Sequence, residues 1–211
     1  EMNTQPAMRA DPGGNPMKRL VLLSAVGPQV RTLGGGEYFA RELLDGLHRR
    51  GWDLKLVAAG SSALFQETVR QPGIATIPID LSVRMRTPLL FVGQALKLAV
   101  FSRANRDCVF YANGFQAMKW LAVAKVASGA QTVCHLHESV YEDYHNRRSR
   151  LVLRFVDRFL AISDTVRGEF VEGTGVEPGK VVRVYNGIEV QNRGPKLREE
   201  TEALRQRFGI P

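Results

Sequence analysis

The chain has 211 residues, of which 44% are hydrophobic and 24% charged, so it can bury one sizeable core and is too apolar for a disordered or fibrous polymer. A net charge of +8 leaves room for an anionic partner, but no recognition motif or interleaved aromatic stripe accompanies it, which argues against a nucleic-acid binder. Cys108 and Cys134, without any C-x-x-C spacing, exclude a disulfide scaffold and a zinc module, and no run reaches the ~18 apolar residues of a membrane span.

Residues 1–17 are rich in Pro, Gly and Asn, lack the apolar centre of a signal peptide and read as a disordered tail. From Lys18 short apolar runs alternate with amphipathic helices. Arg19–Val26 is nearly all apolar, as a parallel strand covered on both faces must be. A loop ending in Gly34, Gly35 and Gly36 leads into a helix from Glu37. There Phe39, Ala40, Leu43, Leu44 and Leu47 share one face, and Gly51 is placed to end the helix in a left-handed conformation. Strands are expected at Asp53–Ala59 and Ile74–Ile79, then a helix within Thr87–Arg103 whose apolar stretch Leu89–Phe101 is expected to be buried. Strand Cys108–Ala112, helix Phe115–Ser128, strand Gln131–His137, helix Arg147–Val156, strand Phe159–Ile162, helix Ser163–Glu172 and strand Val181–Tyr185 follow. The repeated β-α unit predicts a doubly wound α/β fold, a parallel sheet with helices on both faces. That domain should occupy residues 18–190, and residues 191–211 read as a linker and an amphipathic helix with Leu197, Leu204 and Phe208 on one face.

In such folds ligands sit at the carboxyl ends of the strands, where glycines let the backbone approach a ligand and a helix N-terminus offers N–H donors. The loop before Gly34 is too long for a dinucleotide G-x-G-x-x-G turn, and no Walker G-x-x-x-x-G-K-[ST] occurs. The three glycines are therefore read either as a ligand-contacting loop or as a flexible turn. His137 falls at a strand end, with His135 on the same face and deeper. Glu138 points the other way. Ser163 has the chemistry and position of an N-cap, and Asn186–Gly187 that of a tight turn. The arginines at 147, 148, 150, 154 and 158 form either a solvated helix face or an anion-facing one.

Four features in series resemble the N-terminal, acceptor-side half of a GT-B glycosyltransferase of family 4. They are the Gly34–Gly35–Gly36–Glu37 loop with the following helix, His137–Glu138 ending a central strand, Leu160–Ala161–Ile162–Ser163, and Asn186–Gly187–Ile188–Glu189. The resemblance covers about residues 18–210. It implies a Rossmann-like domain that meets a second lobe not present in these residues. The activity implied is hexosyl transfer from a nucleotide-sugar donor to a saccharide or lipid-linked acceptor, with none expected from the half alone. It places His137 at the donor sugar or its leaving group, and Gly34, Gly35, Gly36, Glu138 and Ser163 about the substrates. The absence of D-x-D agrees with a metal-independent mechanism and no cofactor. Free thiols at Cys108 and Cys134 suit a reducing compartment, so a cytoplasmic protein is expected, and peripheral membrane contact stays open. A sugar-nucleotide epimerase half and a non-catalytic glycan- or protein-binding module are the rival readings.

Overall fold

The structure is a computed structural model that describes residues 18–30, 32–83, 87–138, 147–187 and 194–209. Within the described residues the elements run β1 (Arg19–Leu23), α1 (Gly35–His48), β2 (Asp53–Ala58), α2 (Ala63–Thr68), β3 (Ile74–Pro78) and α3 (Pro88–Ala104). They continue with β4 (Val109–Asn113), a 3₁₀ turn (Phe115–Ala117) running into α4 (Met118–Ser128), β5 (Thr132–Leu136), α5 (Arg147–Leu153), β6 (Arg158–Ala161), α6 (Asp164–Thr174), β7 (Val181–Arg183) and α7 (Gly194–Phe208). The described strands form one seven-stranded sheet in the order β3-β2-β1-β4-β5-β6-β7, and every neighbouring pair is parallel. The order reverses direction at β1 and β4. Ligands of open α/β sheets collect at such a switch point.

Alternation along the strands divides the core in two. Leu20, Leu22, Leu54, Leu56 and Tyr111 face α1 and α2 and pack on Ala40, Leu44, Leu64 and Phe65. Val21, Leu23, Phe110, Ala112, Cys134 and Phe159 face the other way, onto Leu98 of α3, Trp120 and Leu121 of α4, Leu153 of α5 and Phe170 of α6. Each fully buried Leu or Phe contributes roughly 1.5–3 kcal/mol over an exposed one, so both layers are needed to hold the sheet between them. Cys108 and Cys134 are buried free thiols, as their apolar surroundings predict, and burial pushes both thiols upward from their ordinary pKa.

Several boundaries differ from those read in the sequence. Strand pairing in β1 stops at Leu23. Ser24 still donates to the Val57 carbonyl, but Ala25 and Val26 leave the sheet to line a cleft. The helix after the glycines starts at Gly35, so the glycines are its first turn and not only its approach. α7 begins at Gly194, inside the stretch expected to be a linker, and Leu204 and Phe208 on it are exposed. Gly51 does take a left-handed φ of 77°. The expectation that Leu89–Phe101 is buried holds for one side only. Phe91, Ala95, Leu98 and Phe101 pack into the core, while Leu89, Leu90, Val92, Leu96 and Val100 are exposed. No helix of the described residues is long and apolar enough to cross a membrane.

Candidate functional site

Because all strands run the same way, their carboxyl ends form a single rim, and α1 begins on it. Gly34 is the N-cap of α1, with φ −85° and ψ 179°. Its N–H donates to Glu37 Oε2 at 2.9 Å, and Tyr38 N–H makes the first helical bond, to the Gly34 carbonyl. The N–H groups of Gly35, Gly36 and Glu37 precede that bond and lie at the positive end of a 14-residue helix dipole. Gly34, Gly35 and Gly36 have no positive φ, so the turn-forming freedom of glycine is not what this loop uses. What it uses is room: a Cβ on Gly35 would meet nothing within 4 Å. A Cβ on Gly36 would stand 3.9 Å from Asn113 Nδ2 and 4.0 Å from His137 Cδ2. The glycine turn and His137 thus lie side by side on the rim.

They border a cleft of about 220 Å³ lined by Ala25, Val26, Gly36, Glu37, Asn113, Gly114, Phe115, Gln116, His137 and Glu138. Its chemistry is set by Asn113, the last residue of β4, which sequence reasoning does not single out. Asn113 Nδ2 donates to the Gly36 carbonyl at 3.0 Å, and its Oδ1 lies 2.8 Å from His137 Nε2. A carbonyl can only accept, so the amide nitrogen must face Gly36 and the amide oxygen must face the imidazole. His137 therefore carries its proton on Nε2 when neutral, and Nδ1 is the ring's acceptor. Burial lowers the His137 pKa below that of a free histidine, so the neutral ring prevails at pH 7.

Beneath this pair lies a second, wholly buried one. His135 is on β5, and its ring sits 4.2 Å from that of His137, with the edge of Phe39 of α1 against both. Tyr111 Oη lies 2.5 Å from His135 Nδ1. Burial drives the Tyr111 pKa far upward, so the phenol keeps its proton and donates it to Nδ1. His135 Nε2 then bears the ring's proton and has no hydrogen-bond partner among the described residues, and neither does the buried Ser24 Oγ on the same side of the sheet. Ser163 stands elsewhere on the rim, after β6. Its hydroxyl caps α6 by accepting from Val166 N–H at 3.1 Å, and it does not line the cleft. Glu138 does line it. Among the described residues no cluster of three or more His, Cys, Asp or Glu could hold a metal ion.

The Asn113 bridge predicts a spectroscopic result. In Asn113→Asp a carboxylate replaces the amide oxygen facing Nε2–H and favours the imidazolium, so His137 should titrate at a higher pH than in the native chain. In Asn113→Ala the ring loses the acceptor that selects its tautomer. Long-range ¹H–¹⁵N spectra of the histidine rings report both, and an unchanged His137 in the two variants would refute the bridge.

The glycosyltransferase family 4 model matches residues 33–192. No curated protein sequence matches this chain. Among solved structures the chain resembles Anabaena Alr3699/HepE in complex with UDP-glucose, at 18% identity and a TM-score of 0.62 over 91% of this chain and 50% of that one. It also resembles the lipopolysaccharide outer core galactosyltransferase WaaB, at 13% and 0.58 over 82% and 47%. Against Acinetobacter baumannii MurG the values are 11% and 0.56 over 84% and 48%. The chain spans about half the length of these structures, and likeness at such identities establishes a shared fold.

Proposed function

The chain belongs to glycosyltransferase family 4, and from that premise we propose that it forms the acceptor-side half of an enzyme moving a hexose from a nucleotide sugar to a saccharide or lipid-linked acceptor. The observation that carries this reading is the juxtaposition of Gly36 and His137 across Asn113 on one open rim. Glycosyl transfer needs charge stabilised on a departing diphosphate and a polar group beside the sugar. The unpaired N–H groups of α1, stripped of side chains at Gly35 and Gly36, are suited to the first task, and Gly34 sets the entry of the helix. His137, with Glu138 beside it, is suited to the second. Ser163, which follows β6 on the same rim, is assigned a substrate contact besides its cap on α6. No metal or cofactor is assigned a role.

The cleft is open, and hexosyl transfer in a dry site requires a second lobe to close over the rim. The 211 residues alone should therefore bind donor weakly without turning it over. HepE was solved with UDP-glucose, so UDP-glucose is the first donor to try. Titrated into ¹⁵N-labelled chain, it should move the amide signals of Gly35, Gly36 and His137. Saturation that leaves those signals unmoved would remove the reading. We place the whole enzyme in the cytoplasm, with peripheral membrane contact if its acceptor is lipid-linked.

A further inference from the structure

Tyr111 lines no part of the cleft, yet the structure ties it to a ring that does. β4 and β5 are parallel neighbours, with Tyr111 level with Val133 and Asn113 level with His135. Residues two apart on a strand share a face, so Tyr111 and Asn113 form a two-by-two block with His135 and His137. One diagonal is used twice in that block. His135 pairs in register with Asn113 but bonds to Tyr111, two residues earlier, at 2.5 Å. His137, two residues on, bonds to Asn113 at 2.8 Å. The upper pair borders the cleft, and the lower pair is sealed, with Tyr111 5% and His135 1% exposed.

We propose that Tyr111 is a positioning residue which, acting through His135, sets the ring of His137 at the cleft. His135 is hydrogen-bonded at Nδ1, and its Nε2 has no partner among the described residues. The phenol therefore decides which way round the imidazole lies. Turned over, the ring would put the carbon Cδ2 against the hydroxyl, in a place where water cannot substitute for the lost partner. Burial keeps the phenol protonated, so it is a permanent donor and holds the lower ring in its Nε2–H tautomer.

That ring is the floor of the upper one, with centroids 4.2 Å apart and planes tilted by 38°. The edge of Phe39 meets both rings, at 4.7 and 5.0 Å, so the two are clamped as a unit. The bond from Nε2 to Asn113 leaves His137 an axis to pivot on, and the floor removes that freedom. A floor that flips or changes tautomer presents a reversed dipole to the ring above it, which in a buried site alters how that ring is held. The Tyr111 hydroxyl is engaged by His135 and its backbone lies in the ladders to β1 and β5, so a change confined to the hydroxyl reaches the cleft through His135. That the ring so held serves hexosyl transfer rests on the reading above, whereas its being held by Tyr111 does not.

The test is Tyr111→Phe, which removes one oxygen and keeps the ring. In long-range ¹H–¹⁵N spectra of the 211-residue chain, His135 should exchange its single Nε2–H pattern for a mixture of tautomers. His137 should then show split or exchange-broadened ring signals, although no atom that lines the cleft has changed. Tyr111→Phe/His135→Phe restores a flat floor with no unpaired polar atom, and His137 should return to one sharp set. In a two-lobed enzyme containing these residues, Tyr111→Phe should lower kcat on the order of ten-fold with the donor KM within about two-fold of native, and the double variant should regain most of the loss. A general loss of stability would not give that order, because the double variant alters more of the core than the single one. The proposal is overturned if the His137 signals ignore Tyr111→Phe, if the double variant is as far from native as the single one, or if the loss falls on KM. Should the native two-lobed enzyme transfer no hexose, the transferase reading fails and the ring spectra decide the positioning by themselves.

Discussion

Lowering the pH from 7 to 3.5 should cost the native chain about 4 kcal/mol of stability through His135 alone. The unfolded ring titrates near 6.5, whereas burial, helped by the neighbouring His137, lowers it to about 3 in the folded chain. Between those values the unfolded state takes up a proton that the folded state refuses. Stability is therefore complete above pH 6.5 and falls by up to about 1.4 kcal/mol for each unit below it. Asp157 adds its share at the acid end. Burial pushes its carboxyl up, but hydrogen bonds from Lys125 and from the Thr132 N–H and hydroxyl outweigh that and hold it below the ordinary range. Its contribution persists above the unfolded carboxylate pKa and is lost only as pH falls through the depressed value. The His135 component is isolated by His135→Phe/Tyr111→Phe, which removes donor and acceptor together and should be close to neutral at pH 7. Urea midpoints measured from pH 7 to 4.5 should fall more steeply in the native chain than in the double variant, which keeps the acid loss of the buried His137 but not that of His135. Parallel decline in both would show that His135 is not the acid-labile group.

The sheet was legible because its signal is local. Leu20 to Leu23 of β1 and Val109 to Ala112 of β4 are apolar in successive positions, as a parallel strand covered on both faces must be. The six-residue α2 was not legible. It is too short to show a helical period, and its one sign is Ser62, whose hydroxyl accepts from Phe65 N–H. For α3 the pattern identified a helix but not its surroundings, since a helix with apolar residues on both sides looks the same whether its second side meets protein or not. The site was half legible. Gly36 and His137 stand at element ends, where function collects, and their neighbours in sequence mark them. Asn113 reaches both only because β4 lies between β1 and β5. That order is a property of the assembled sheet, and no local spacing encodes it.

Replacing His137 by alanine in a two-lobed enzyme containing these residues should lower hexosyl transfer by roughly 10²- to 10³-fold, the usual loss when one aligned polar group is taken from a transferring centre. The ring is placed for such a role by three constraints. Phe39 closes one edge, His135 lies against its face, and Asn113 holds Nε2–H. Truncation leaves the Gly36 carbonyl still bonded to Asn113, so the N-terminus of α1 keeps its place and diphosphate contacts should survive. The loss should accordingly fall on kcat more than on KM. The pH profile separates this from a merely structural part. A ring that acts through an unprotonated Nδ1 loses activity as pH falls through its own pKa, and burial sets that below the free-histidine value, so the native rate should persist into mild acid. Asn113→Asp raises the same pKa and should move the acid limb upward by the interval its NMR titration shows. An acid limb that ignores Asn113→Asp, or a His137→Ala enzyme within a few-fold of native, would leave the histidine as packing for the glycine turn and shift the chemistry to the backbone donors of α1.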